Sequence, residues 1–326
     1  MTTGAWVLIA PERGRRAPQG RYPPRRPIPA FDPACPFCPG NEHLLPGIVS
    51  EVAAAAAPGW HVRVAPNKYP AMREDLSHVT EAADAQRIEG YGAHRVIIES
   101  PRHDADFDTL TDEDIASVLG VYRTQFVELA QRPGTESVIL FRNRGVPAGA
   151  SLQHPHAQII SLPVRPPQIA RSQDWARDEY DRRKRCATCN FVQSELQDGL
   201  RIVEATSHFV ALVPFAAASP FEVHILPVRH VPSFAQVGEH ELADLAALLR
   251  LVSRGLKQVL GDVPYNWVID SATMREEGSP FLHWRMRILP ALVTPGGFEL
   301  GAGLPINPSM PEEDARALRL AIHSLA

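Results

Sequence analysis

The chain has 326 residues, 44% hydrophobic and 21% charged, with a formal net charge of -4. This length suggests about two domains, and the weakly acidic balance gives no global basic field for nucleic acid. No apolar run reaches the roughly 18 residues of a membrane span. The opening MTTGAWVLIAPERGRR has no basic leader before its apolar stretch, so a soluble cytoplasmic protein is expected.

In chain order, residues 6–10 read as a strand, followed by a Pro-rich arm carrying Arg13, Arg15, Arg16, Arg21, Arg25 and Arg26 without an acidic residue after Arg13. Such an arm is either a solvated polyproline-like segment or a strap for phosphate. Cys35-Pro-Phe-Cys38 is a tight turn. Alternating or β-branched apolar residues predict strands over 61–65 and 95–99. Thr111-Asp-Glu-Asp114 is a helix-start signal, and Ile115, Val118, Leu119, Tyr122, Phe126 and Leu129 follow at helical spacing. A strand over 137–141, a Gly-containing loop over 143–151 and a strand from His154 to residue 162 complete the first half. The charged stretch 165–185 reads as a connector with a solvated helix. Strands over 209–213 and 222–226, a helix over 239–260, and strands over 265–269 and 283–289 repeat the order, and an amphipathic helix over 311–325 ends it. The fold class expected is α+β, with two duplicated halves, 1–165 and 166–326, each an antiparallel sheet with a covering helix.

The four cysteines form two C-x-x-C pairs, each followed by two histidines at nearly equal intervals. Cys35, Cys38, His103 and His154 form one set; Cys186, Cys189, His230 and His283 form the other. Each is a ligand set for a tetrahedral metal, with zinc the natural occupant, two per chain. A thioredoxin-like redox role leaves the four matched histidines unexplained.

The halves differ where chemistry is expected. His154-Pro-His156-Ala-Gln158 in the first half stands against His283-Trp-Arg285-Met-Arg287 in the second. Residues two apart on a strand share a face, so His156 offers a free imidazole beside a metal ligand, with Gln158 beside it. The preceding loop, with Asn143, Gly149 and Ser151, supplies N–H groups, an amide and a hydroxyl suited to a phosphoryl group. An imidazole there can serve as support, general base or nucleophile.

The FRNRGVPAGASLQHPHAQII stretch, WVLIAPERGRR, CPFC, APNKYPA and GGFELGAGLPINPSMPEE resemble the galactose-1-phosphate uridylyltransferase family of the histidine-triad superfamily. The resemblance implies ping-pong transfer of a nucleoside monophosphate from a nucleotide-sugar to a sugar 1-phosphate or phosphate, in a homodimer. It also implies His156 as nucleophile and Gln158 as phosphate-binding amide. Asn143, Gly149 and Ser151 match its phosphate loop, Asn67 a nucleotide contact, Arg13 and Arg16 its N-terminal arginines, and Phe298 and Glu299 its sugar-facing segment. Arg285 stands where many bacterial members carry a further histidine, which argues against a second-half iron site. The second C-x-x-C set resembles ADP-glucose phosphorylase, whose acceptor is phosphate. A nucleotide-sugar hydrolase and a zinc-stabilised nucleotide-binding protein are the other readings of the same residues.

Overall fold

The computed structural model describes residues 4–14, 27–54, 59–76, 80–82, 86–88 and 90–325. Fourteen strands and seven α-helices lie among them. The strands are β1 (Leu8–Ile9), β2 (Ser50–Ala53), β3 (Trp60–Pro66), β4 (Thr80–Ala82), β5 (Gln86–Ile88), β6 (His94–Ile98), β7 (Ser137–Arg144), β8 (His156–Leu162), β9 (Ile202–Ala205), β10 (Phe209–Leu212), β11 (Val223–Pro227), β12 (Tyr265–Asp270), β13 (Arg285–Pro290) and β14 (Ile306–Asn307). The helices are α1 (Pro11–Gly14), α2 (Asp112–Ala130), α3 (Pro167–Arg183), α4 (Ala187–Asp198), α5 (Glu239–Leu260), α6 (Gly297–Ala302) and α7 (Pro311–His323).

Two sheets, one per half, were expected. Instead ten strands make one sheet in the order β2-β3-β6-β8-β7-β12-β13-β11-β10-β9, antiparallel throughout. The join is β7 against β12, with Arg144 opposite Tyr265 and Leu140 opposite Ile269. Each five-strand set would otherwise leave a long strand edge unpaired, and pairing the two edges removes that liability.

One face of the sheet is covered by α2 and α5, which pack on each other. Val62, Ile97, Leu140 and Ile159 from the first half and Ile225, Trp267, Met286 and Ile288 from the second share one apolar cluster with these helices. Each such side chain contributes about 1.5–3 kcal/mol on burial, so the shared core ties the halves together. α2 starts as the sequence predicts, in a capping box between Thr111 and Asp114. α5 approaches α7 closely because Gly255 has no side chain: a Cβ there would sit 2.8 Å from Ile322. Trp60, Trp267 and Trp284 are buried, and Trp175 is half-buried against Ala176, Ala272 and Leu282.

The opposite face is covered at its two ends by different devices. On β3 and β6, Cys35, Phe37, Cys38 and Trp60 pack over Val96 and Ile98. On β10 and β11, Val192 and Phe191 of α4 pack over Val210, Leu212 and Leu226. Between these ends lies the part of the sheet that carries His156 and Gln158.

Candidate active site

β8 begins at His156, not at His154 as the sequence reading has it, and β13 begins at Arg285, not at His283. Pro155 leaves no N–H for a ladder bond at that position. His154 and His283 are therefore loop residues, and the shared-face argument applies to His156 and Gln158 alone.

Both C-x-x-C sets close. The four ligating atoms of each lie within 4.8 Å of one another. Cys38 Sγ is 3.5 Å from His103 Nδ1 and 3.6 Å from His154 Nδ1. Cys189 Sγ is 3.3 Å from His230 Nδ1 and 3.4 Å from His283 Nδ1. In three of the four histidines the remote nitrogen meets a backbone carbonyl: His154 Nε2 lies 2.8 Å from Ser100 O, His230 Nε2 3.1 Å from Ser279 O, and His283 Nε2 3.0 Å from Pro227 O. A carbonyl accepts only, so each Nε2 carries the proton and each Nδ1 turns a lone pair toward the thiols. That is the outer-shell arrangement of a metal-ligating histidine, and the donor set fits a tetrahedral N/S metal site.

The first set is wholly buried, whereas His230 is exposed and Cys189 and His283 are half-buried. The first cysteine pair lies on a knuckle; in the second, Cys186 directly precedes α4. Burial pushes the Cys35 thiol up to about 11. In the second set the Cys189 thiol draws Cys186 down against the opposing effect of burial, and His230 and His283 add to that pull. Phe37 of the knuckle stands edge-on to His154 and His156, with ring centroids 5.9 Å and 5.1 Å away. The knuckle thereby packs directly on the His156 ring.

His156 is buried, and its Nδ1 lies 2.8 Å from the carbonyl of His154. The carbonyl accepts a hydrogen bond from Nδ1–H, which keeps the proton on Nδ1 and leaves Nε2 with its lone pair. Burial lowers the His156 pKa to about 4, the hydrogen bond to His154 O opposing and Arg142 assisting. The neutral ring is thus the form present at neutral pH, as an attacking nitrogen requires.

His156 opens onto a cleft also lined by Ile28, His103, Asn143, Gly145 and Leu152. Asn143 is the penultimate residue of β7, and the chain then turns through Gly145 at φ 84° and Gly149 at φ 87°. These positive φ values favour glycine and put the loop backbone beside the cleft. Asn266 of β12, which the sequence reading passed over, donates from Nδ2 to Asn143 Oδ1 at 2.8 Å and to Ala148 O at 2.7 Å. Ser151 is exposed.

Gln158 Oε1 lies 2.8 Å from His94 Nε2 and 3.3 Å from Asn67 Nδ2. Sequence reasoning does not find His94, because nothing nearby in the chain points to Gln158. Burial lowers its pKa, against the hydrogen bond to Gln158.

Beneath His156 on the helix face, Arg142 is buried against Glu99, Asp106 and Tyr265. Arg144 pairs with Asp106 and with Asp262. This lattice runs from the first half into the second.

The remaining expected residues lie elsewhere. Arg13 is exposed in α1, just after β1; Phe298 and Glu299 are in α6, just before β14. β1 and β14 pair in parallel, so these residues flank one ribbon. The ribbon is fastened to the second half by Asn307 Nδ2 donating to Ala217 O at 3.0 Å. Glu299 caps its own helix through Gly296 N at 2.9 Å. Arg16 and most of the basic arm lie outside the described residues. In the second half, Arg285 and Arg287 both bond Asp270 Oδ2, at 2.9 Å and 2.7 Å.

Fold and sequence pattern together make this a transferase of the uridylyltransferase type. Residues 1–166 match the model of the galactose-1-phosphate uridyl transferase N-terminal domain and 173–293 that of its C-terminal domain. The chain belongs to the galactose-1-phosphate uridylyltransferase family. It is 33% identical to ADP-glucose phosphorylase from Arabidopsis thaliana over 97% of this chain and 90% of the relative. It is 29% identical to galactose-1-phosphate uridylyltransferase from Thermotoga maritima, over 97% and 95% respectively. A crystal structure of the Arabidopsis ADP-glucose phosphorylase with bound ADP-glucose superposes at a TM-score of 0.83, with 32% identity, 98% of this chain and 96% of that one covered. No helix among the described residues is long and apolar enough to cross a membrane.

Proposed function

We propose that this chain is a nucleotidyltransferase that moves a nucleoside monophosphate from a nucleotide-sugar to a hexose 1-phosphate through a nucleotidyl-His156 intermediate. The observation that carries the reading is the bond from His156 Nδ1–H to His154 O at 2.8 Å, which leaves Nε2 as the free lone pair. Nε2 attacks the α-phosphorus of the donor, the bond to the bridging oxygen breaks, and sugar 1-phosphate leaves with that oxygen. In the second step a phosphate oxygen of the acceptor attacks the same phosphorus and the P–N bond breaks. Asn143, the loop through Gly149 and Ser151, and the Gln158 amide hold the non-bridging oxygens. Asn67 contacts the nucleoside, while Arg13, Arg16, Phe298 and Glu299 serve the nucleotide-sugar from the ribbon and arm.

The chain comprises a catalytic half, 1–165, and a second half, 166–326, related as duplicated histidine-triad-like units; the matched ligand sets and the five-plus-five strand order support this. Zinc occupies each set, two ions per chain, held by Cys35, Cys38, His103 and His154 and by Cys186, Cys189, His230 and His283. When bound, each ion supplies folding energy and locks its ligands. A homodimer in a reducing cytoplasm is the assembly we propose.

An ADP-glucose phosphorylase reaction, with phosphate as acceptor, is the second reading. It is favoured by the complete second ligand set and by the 33% identity to the Arabidopsis enzyme. To test both, UDP-glucose and ADP-glucose labelled in the α-phosphate are mixed with enzyme without acceptor. A burst of glucose 1-phosphate and acid-labile label on the protein are expected, discharged by galactose 1-phosphate in the first reading and by phosphate in the second. Steady release of free nucleoside monophosphate would mark a hydrolase, and unlabelled protein with both donors would mark a binding protein.

A further inference from the structure

We infer that His94 is a positioning residue that sets which end of the Gln158 amide faces the substrate. The inference rests on the proposed role of Gln158 at the transferred phosphoryl group and assigns a residue outside that set. A backbone N–H cannot change roles, and the backbone N–H of Ala71 meets His94 Nδ1 at 3.0 Å. Nδ1 therefore accepts, and in a neutral ring the proton sits on Nε2. His94 Nε2–H donates to Gln158 Oε1 at 2.8 Å, and Asn67 Nδ2, which stands 3.1 Å from His94 Nε2, adds a second donor to the same oxygen at 3.3 Å, so the two nitrogens share one acceptor. With both donors on its oxygen, the Gln158 amide turns its NH2 end the other way, as a donor for a phosphoryl oxygen. The reversed amide would set its NH2 against the His94 N–H and would present an oxygen to an anion.

The backbone of His94 and the side chain of Asn67 are held as well. Asn67 N–H donates to His94 O at 2.9 Å, and Tyr69 N–H to Asn67 Oδ1 at 2.8 Å. The 67–71 loop, the first residue of β6 and the third residue of β8 thus form one chain of directed hydrogen bonds ending at Gln158. Its direction is dictated from the Ala71 N–H.

The test separates the two ends of the ring. In His94→Asn the amide oxygen can still accept from Ala71 N–H but no donor reaches Gln158. In His94→Gln a donor is placed where ring Nε2 was and the Ala71 acceptor is lost. Full-length, metal-loaded wild type, both variants, Gln158→Ala and the double variant His94→Asn/Gln158→Ala are compared by single-turnover release of glucose 1-phosphate from UDP-glucose and ADP-glucose, by kcat and KM, and by Tm. His94→Asn should slow the burst by about 10- to 100-fold, the range for losing an outer-shell partner, with KM within about threefold of wild type and no matching fall in Tm. His94→Gln should recover most of the rate, and His94→Asn should add nothing once Gln158 is alanine. A wild-type rate in His94→Asn, equal losses in His94→Asn and His94→Gln, or losses that multiply in the double variant would each overturn the inference. Wild-type protein giving neither a burst nor label with either donor would overturn the His156 reading and this inference with it.

Discussion

The two halves hold the same four-ligand cluster in different settings and put opposite electrostatics beside it. In the first half the cluster is buried, its knuckle packs through Phe37 on His156, and the neighbouring strand presents a neutral imidazole and an amide. In the second half His230 is exposed and the equivalent strand presents Arg285 and Arg287. Asp270, opposite Arg285 in the β12–β13 register, takes up both guanidiniums. Burial alone would raise the Asp270 pKa, but Arg287 and Arg285 outweigh it and hold the carboxylate ionised. The first strand keeps the His156 Nε2 lone pair free of the hydrogen bond to His154 O, while the arginines of the second pair with Asp270. On the proposed reading, metal geometry and reactivity are separable on this scaffold: the first needs ligands at loop ends, the second an unpaired nucleophile on the strand.

The largest effect that sharpens this contrast is expected at the two strand positions. His156→Ala should lower single-turnover transfer by more than about 10³-fold, beyond what loss of one oxyanion donor costs, with bound metal unchanged. Arg285→Ala should stay within about threefold in the same assay, because Asp270 keeps Arg287 as a partner. Comparable losses from both would dissolve the division between the halves.

The clusters themselves should differ next. Cys38→Ser is expected to release one metal per chain, lower Tm and take transfer down with it, since Phe37 carries the knuckle onto His156. Cys189→Ser should also release one metal but keep transfer within about tenfold, the low end for a perturbation acting through the structure. Metal content by plasma emission, Tm and turnover on the same samples decide this; equal loss of turnover in both variants would make the second cluster part of the active site.

A smaller effect should come from Asn266, a residue of the second half that grips the loop of the first. Asn266→Ala removes two hydrogen bonds to Asn143 and Ala148. At about 0.5–1.5 kcal/mol each, the loss should slow the burst by roughly 10-fold while leaving metal content intact. An unchanged burst would mean that the loop holds its shape without the second half.

Much of this was legible from residue type and spacing. The eight proposed ligands come together as the repeated pattern implies, because soft thiolates and imidazoles at matched intervals have few other uses. The helix at Glu239–Leu260 and the capped start at Thr111 follow from periodicity and side-chain hydrogen bonding within one turn. Strand starts read less well: His154 and His283 fall just before β8 and β13, where Pro155 and the ligand geometry override the alternating pattern.

The sequence by itself determined the ligand sets, the difference between His156 and Arg285, and the order of the elements, since each depends on residues a few positions apart or on an internal repeat. Tertiary structure alone decided that both strand sets join through β7 and β12 into one sheet over one core. It also decided that His94 meets Gln158, that Asn266 meets Asn143, and that Asp270 takes up both arginines. These are contacts between strands, and a shift of one residue in register would turn every one of those side chains to the other face. Register is set by packing the whole apolar face at once, so no local stretch of sequence contains it.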